Sequence, residues 1–123
     1  MKRRVLIVED STAMRQLLAL AVRKHGWEVN EAPDGLAALK ALSLDKYDLV
    51  FVDLNMPILD GMKLIKRVRE DKNLDATRLC VVTTESAMQT EEQARMLGAD
   101  FFLRKPISRR DVDRVLKEAF PQT

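Results

Sequence analysis

The chain has 123 residues and a mass of 14.1 kDa, which suits one domain spanning residues 1–123 and leaves no room for a second. With 46% hydrophobic and 33% charged residues it is not a disordered chain. Its 21 basic and 19 acidic residues nearly cancel, unlike the lopsided balance of a nucleic-acid-binding domain, and a single cysteine excludes an internal disulfide or a CxxC metal or redox site.

The charged start Met1-Lys2-Arg3-Arg4 leads into a short apolar run, Val5–Val8, cut off at once by Glu9-Asp10. That run is too short for a signal peptide, and no apolar stretch reaches membrane-span length, so the expectation is a cytoplasmic protein without membrane insertion. Val5–Val8 is continuously apolar, as strands covered on both faces are. Met14, Leu17, Leu18, Ala21 and Val22 then keep helical spacing, with Ser11 or Thr12 as cap. Trp27 to Ala32 is half polar and predicts an edge strand; Leu36, Leu39 and Leu42 predict a second helix after Pro33-Asp34-Gly35. Leu49–Val52 is a second buried strand, followed after Asp60-Gly61 by a helix with Leu64, Ile65 and Val68.

Leu79–Val82 repeats the strand pattern, with Cys80 expected as a buried small hydrophobe. Ser86 to Leu97 has the weakest apolar face of the helical stretches, and Gly98 is placed to end it. Phe101–Leu103 is the last strand. Ser108-x-x-Asp111 has capping-box spacing for a final helix carrying Val112, Val115, Leu116 and Ala119, which stops before Pro121. Five β-α units in succession predict an α/β fold, a parallel sheet with helices on both faces.

The strand ends carry the chemistry. The first strand runs into Glu9-Asp10, the second buried strand into Asp53, the next into Thr83-Thr84 and the last into Lys105-Pro106. In an open α/β sheet, ligands bind beyond the carboxyl ends of the strands, so these groups converge if their strands are neighbours. Taken singly they say little. Asp10 reads as a helix-start acid, Thr83 as an ordinary strand residue, and Lys105 equally as a solvated loop lysine. Asp53 is harder to dismiss, since a carboxylate after a buried strand is costly to desolvate without compensation. Three crowded acids suit a hard cation such as Mg²⁺, and together with a lysine and a hydroxyl they supply what phosphoryl transfer needs.

With these residues the chain resembles, over Arg4 to Phe120, a CheY-like receiver domain, the phospho-acceptor module of two-component response regulators. The resemblance implies a flavodoxin-like, doubly wound sheet of order 2-1-3-4-5 with five helices. It implies that Asp53 takes a phosphoryl group from a sensor histidine kinase, and that Mg²⁺ is held by Asp10, Asp53 and the Asn55 carbonyl, with Glu9 acting through water. By the same resemblance Lys105 neutralises a phosphoryl oxygen, Thr83 and Phe102 form the switch, and Pro106 follows a cis peptide bond. The surface of helix four, strand five and helix five then changes its affinity for a downstream target. Such a domain is a phospho-acceptor that promotes its own phosphorylation and dephosphorylation, not an enzyme acting on other substrates.

Several residues depart from the commonest pattern of that family. Glu9 replaces the usual aspartate, Thr84 is larger than the residue often found there, and Phe102 lacks a tyrosine hydroxyl. Asn55 and Glu85 resemble the pair of chemotaxis regulators with short-lived phosphorylation, and together with Thr84 they are expected to tune phosphate lifetime. Ser11-Thr12-Ala13-Met14-Arg15 also resembles chemotaxis regulators, which bind a flagellar-motor switch protein. The expectation is a monomeric single-domain regulator with no output domain and no direct nucleic-acid contact. Arg104, Val115 and the region of Gln89 and Glu91 are expected on its output surface.

Other readings fit less well. A phosphorelay shuttle or phosphate sink uses the same chemistry for a different end, and a pseudo-receiver binds partners on the same fold without phosphorylation. A haloacid-dehalogenase-type phosphatase needs an acid where Asn55 stands. A flavodoxin's phosphate would be repelled by Glu9-Asp10, and no G-x-G-x-x-G follows the first strand for a dinucleotide. His25 is expected to be a helix-terminal residue, and Lys2-Arg3-Arg4 and Arg109-Arg110 solvated charge.

Overall fold

A computed structural model describes residues 2–56, 58–85 and 87–121. The strands are β1 (Arg4–Val8), β2 (Glu28–Ala32), β3 (Leu49–Asp53), β4 (Arg78–Thr83) and β5 (Phe101–Arg104). Between and after them come α1 (Thr12–Arg23), α2 (Gly35–Leu44), α3 (Gly61–Glu70), α4 (Met88–Leu97) and α5 (Arg109–Ala119), with one short 3-10 turn at Lys72–Leu74. All strand pairs are parallel, and the order is β2-β1-β3-β4-β5. The flavodoxin-like α/β sheet is therefore present.

Successive strand residues point to opposite faces, and both faces are covered, so the central strands need apolar residues throughout. Leu6, Val8, Val50, Val52, Leu79 and Val81 pack with Leu64, Ile65, Val68 and Ala94 on the side of α2, α3 and α4. Val5, Ile7, Leu49, Phe51, Cys80 and Val82 pack with Leu18, Val22, Val112, Val115 and Leu116 on the side of α1 and α5. Burying each such side chain contributes roughly 1.5–3 kcal/mol, so the two cores hold the strand ends in fixed positions.

Local chemistry starts most of the helices. Ser11, rather than Thr12, caps α1 by accepting from the Met14 amide; Asp34 and Asp60 cap α2 and α3 by accepting from Ala37 and Lys63. Ser108 and Asp111 form the expected capping box of α5, with bonds of 3.2 and 2.9 Å. Helix α4 starts at Met88 after Ala87, without a side-chain cap, and buries only Ala94 among its described residues. It ends, as expected, at Gly98, whose φ of +119° is left-handed. The expected start at Ser86 lies outside the described residues.

Three sequence expectations need correction. The edge strand begins at Glu28, the partner of Arg4 in β1, and Trp27 lies just before it with its ring edge-on to Phe120. In α2, Leu36 is 54% exposed, and the inward face is made by Gly35, Ala38 and Leu42. Val115 is 1% exposed and faces the sheet with Val112 and Leu116, so it cannot belong to an output surface. His25, two residues past α1, is helix-terminal as expected: its amide donates to the Val22 carbonyl at 3.0 Å, while its ring pairs with Asp113 on α5 at 2.8 Å.

Gly61, at the start of α3, is where the helix meets the end of β3. A Cβ there would lie 2.5 Å from the Asp53 carbonyl oxygen and 2.7 Å from Leu54 Cα, both backbone atoms that cannot swing aside. Gly61→Ala is therefore expected to lower stability by about 2 kcal/mol in denaturant unfolding, as overpacking does.

Candidate functional site

Because β1 lies between β2 and β3, and β3 between β1 and β4, the carboxyl ends of β1, β3, β4 and β5 form one rim. Val8 is opposite Val52, which sets Glu9 and Asp10 beside Asp53; Thr83 is opposite Arg104, which sets Lys105 beside Thr83. The Lys105 amide donates to the Thr83 carbonyl at 2.7 Å, fixing the lysine's entry into the rim. The Lys105–Pro106 peptide bond is cis.

One carboxylate oxygen from each of Glu9, Asp10 and Asp53 lies within 4.8 Å of the others. Glu9 and Asp53 are 1% and 2% exposed, whereas Asp10 faces solvent. Lys105 Nζ is 3.1 Å from Glu9 Oε2 and 3.7 Å from Asp53 Oδ1. Its hydrogen bond, at 3.4 Å, goes to Glu9 Oε1, which also accepts from the Ser11 amide at 3.1 Å. Among the described residues, buried Glu9 Oε2 has no polar partner besides its ion pair with Lys105.

One cation against three acids leaves the cluster negative. Burial is the main reason that the Asp53 carboxyl is pushed up to about 7. The Asn55 amide, donating to Asp53 Oδ1 at 3.1 Å, pulls the other way; the Glu9 charge raises it further and Lys105 lowers it. Three crowded carboxylates with one lysine among them, their hard oxygen donors open to solvent on the Asp10 side, fit a hard divalent cation such as Mg²⁺.

The remaining predicted residues surround this cluster. Thr83 is fully buried, and its hydroxyl accepts from the Glu85 amide at 3.1 Å. Asn55 Nδ2 is 3.5 Å from Thr84 Oγ1, so the two reach toward each other from β3 and β4 at the mouth. Asn55, Glu85, Asp60 and Thr90 are among the residues lining an open cavity of about 510 Å³ beside the cluster. Phe102 is half-buried, with the Arg104 guanidinium 5.5 Å from its ring centre; Arg104 in turn pairs with Glu91 on α4 at 3.5 Å. Cys80 lies in the core, where burial pushes its thiol up and leaves it unreactive. Among the described residues no helix is long and apolar enough to cross a membrane.

Comparison with known proteins gives one family. The family model described as "Response regulator receiver domain" matches residues 5–117. Chemotaxis protein CheY-3 of Vibrio cholerae is 30% identical over 118 residues, covering 95% of this chain and 91% of that protein. The hybrid signal transduction histidine kinase L of Dictyostelium discoideum is 31% identical over 121 residues, covering 94% of this chain, which spans only 7% of that kinase's length. The solved structure of V. cholerae chemotaxis protein CheY4 superposes with a TM-score of 0.92 at 28% identity, covering 98% of this chain and 100% of that one.

Proposed function

Because the chain belongs to the response regulator receiver domain family, we propose that Asp53 is its phospho-acceptor and that the rim around it is the site of phosphoryl transfer. The observation that carries this reading is the burial of Asp53 between Glu9 and Lys105, with Lys105 Nζ 3.7 Å from its carboxylate. The donor is a phosphohistidine of a sensor histidine kinase. An ionised Asp53 oxygen forms the new O–P bond as the P–N bond breaks, and the imidazole nitrogen leaves with the bonding pair.

The Asn55 amide holds the Asp53 carboxylate in one orientation, which is most of what a positioned nucleophile requires. Lys105 sets a fixed positive charge beside the incoming phosphoryl oxygens. Mg²⁺ would be held by the Asp10 and Asp53 carboxylates and the Asn55 carbonyl, with Glu9 through water, and when bound it neutralises the acids and the phosphoryl oxygens. Thr83 exchanges its bond from the Glu85 amide for a phosphoryl oxygen, donating its hydroxyl proton to that bond. Phe102 follows into the space released, and the face carrying Arg104, Glu91 and α4 is reshaped for a downstream partner. The helix that must move has no side-chain cap and buries little, which suits an element drawn from the less stable end of the fold.

Likeness to CheY-3 and CheY4 supports chemotaxis or motility signalling in the cytoplasm, with a flagellar-motor switch protein as the kind of target. Asn55, Thr84 and Glu85 at the mouth govern access of water to the acyl phosphate. Incubation with acetyl phosphate and Mg²⁺ is expected to add one phosphoryl group by intact mass, placed on Asp53 by borohydride trapping. A pseudo-receiver would gain none.

A further inference from the structure

Arg15 lies five residues after Asp10, in the first turn of α1, and none of the roles proposed above uses it. Its guanidinium reaches back from α1: Nη1 donates to the Glu9 carbonyl at 2.9 Å, and Nε donates to Glu31 Oε1 at 3.2 Å. Glu31 belongs to the edge strand β2, and its other oxygen is 3.8 Å from Arg23 Nη2. The Arg15 side chain is only 17% exposed, so it is held in this place and does not wave in solvent.

The carbonyl it grips belongs to the peptide group that joins Glu9 to Asp10. A peptide group is planar, so fixing its oxygen fixes the direction in which the chain leaves toward Asp10. On the other side of Glu9, its amide donates to the Ala32 carbonyl at 3.1 Å, and its carboxylate accepts from the Ser11 amide at 3.1 Å. Glu9 is thus anchored through amide, carboxylate and carbonyl. Asp10 differs: it is exposed, and among the described residues its carboxylate has no hydrogen bond or ion pair. Its aim toward Glu9 and Asp53 comes from the backbone that carries it.

We propose that Arg15, clamped by Glu31, is a positioning residue for the metal site, aiming the Asp10 carboxylate by holding the Glu9–Asp10 peptide group. This rests on reading the acidic cluster as a Mg²⁺ site. Groups that orient a ligand from behind typically matter by about tenfold or more in metal affinity. The planar fork matters here because one guanidinium serves a carbonyl and a carboxylate at once, which an ammonium cannot do in the same geometry.

The test is Mg²⁺ titration by calorimetry on the unphosphorylated full chain, with thermal unfolding in EDTA alongside. Arg15→Ala is expected to bind Mg²⁺ about tenfold more weakly. Arg15→Lys is expected to fall near the alanine variant although it keeps the charge. Glu31→Gln, which loosens the clamp from the exposed side of β2, is expected to weaken binding by about threefold, a fraction of the same effect. Unfolding midpoints of Arg15→Lys and Glu31→Gln in EDTA should stay close to wild type, which separates aim from stability; if Arg15→Ala does not fold, these two carry the test. Full Mg²⁺ affinity in Arg15→Lys and Glu31→Gln overturns the proposal, because charge or fold alone would then account for Arg15. A wild type that takes up no Mg²⁺ overturns the reading of the cluster itself.

Discussion

Asp53→Asn is expected to take up no phosphoryl group and, in EDTA, to be more stable than the wild-type protein. Loss of uptake follows because the amide lacks the nucleophilic carboxylate oxygen. The gain in stability follows from the same burial that makes the site useful. The Asp53 carboxyl is held at about 7 in the folded protein, chiefly by burial and further by the Glu9 charge. Its unfolded value is near 4, so between these two values the folded state binds more protons than the unfolded one. The wild-type protein therefore loses stability as pH rises from about 4 to about 7, and the loss is complete above the folded value.

The full three-unit difference would correspond to about 4 kcal/mol. Solvent at the mouth and relaxation around the charge reduce this, leaving about 1–2 kcal/mol expected at pH 8. The advantage of the asparagine variant should accordingly widen from pH 5 to pH 7 and then level off, when unfolding by urea is followed in EDTA. Adding Mg²⁺ should close the gap by stabilising the wild type alone, since a ligand that binds only the folded state stabilises it. Asp10→Asn is expected to change stability less than Asp53→Asn does, because Asp10 is exposed.

Lys105→Ala is expected to act in the opposite direction on stability. Its ammonium is 3.1 Å from Glu9 Oε2, a buried oxygen with no other polar partner among the described residues. Removing the cation leaves that charge beside Asp53 without compensation. Breaking a buried pair from one side typically costs about 3–5 kcal/mol, and the open side of this cluster lowers the expectation to about 2–3 kcal/mol in EDTA. A variant as stable as the wild type would mean that Glu9 is neutralised some other way. Lys105→Ala should still accept some phosphoryl group, since Asp53 and Asn55 remain in place. It should fail, however, to transmit the change: beryllofluoride is expected to shift the amide resonances of Glu91 and Arg104 in the wild type and to leave them nearly unmoved in the variant.

The strands were readable because a sheet covered on both faces leaves no position free to be polar. Val5–Val8, Leu49–Val52 and Leu79–Val82 say so without further context. Helical faces were harder where small residues do the packing. Ala38 and Gly35 line the inner face of α2, while the more conspicuous Leu36 faces solvent. Val115 shares a helical stripe with Val112, Leu116 and Ala119, all buried, and the phase of that stripe already argues against an outward position.

The site's members were visible one by one at the ends of their strands, and their meeting depends on strand order. Glu9 lies 44 residues before Asp53 in the chain, and only the β1–β3 pairing puts them side by side. That order followed from family resemblance, not from any pattern of apolar residues. Contacts made by long side chains across elements were not legible at all. Neither the grip of Arg15 on the Glu9 carbonyl nor the approach of Arg104 to the Phe102 ring leaves a mark on spacing, because each depends on the three-dimensional reach of a flexible arm.

Soaking crystals of the protein in Mg²⁺ and solving the structure tests the central claim most directly. The account predicts a single ion bound by oxygens of Asp10, Asp53 and the Asn55 carbonyl, with Glu9 joined to it through water. An ion bound away from Asp53, or a cluster of Glu9, Asp10 and Asp53 that stays empty at saturating Mg²⁺, would contradict it.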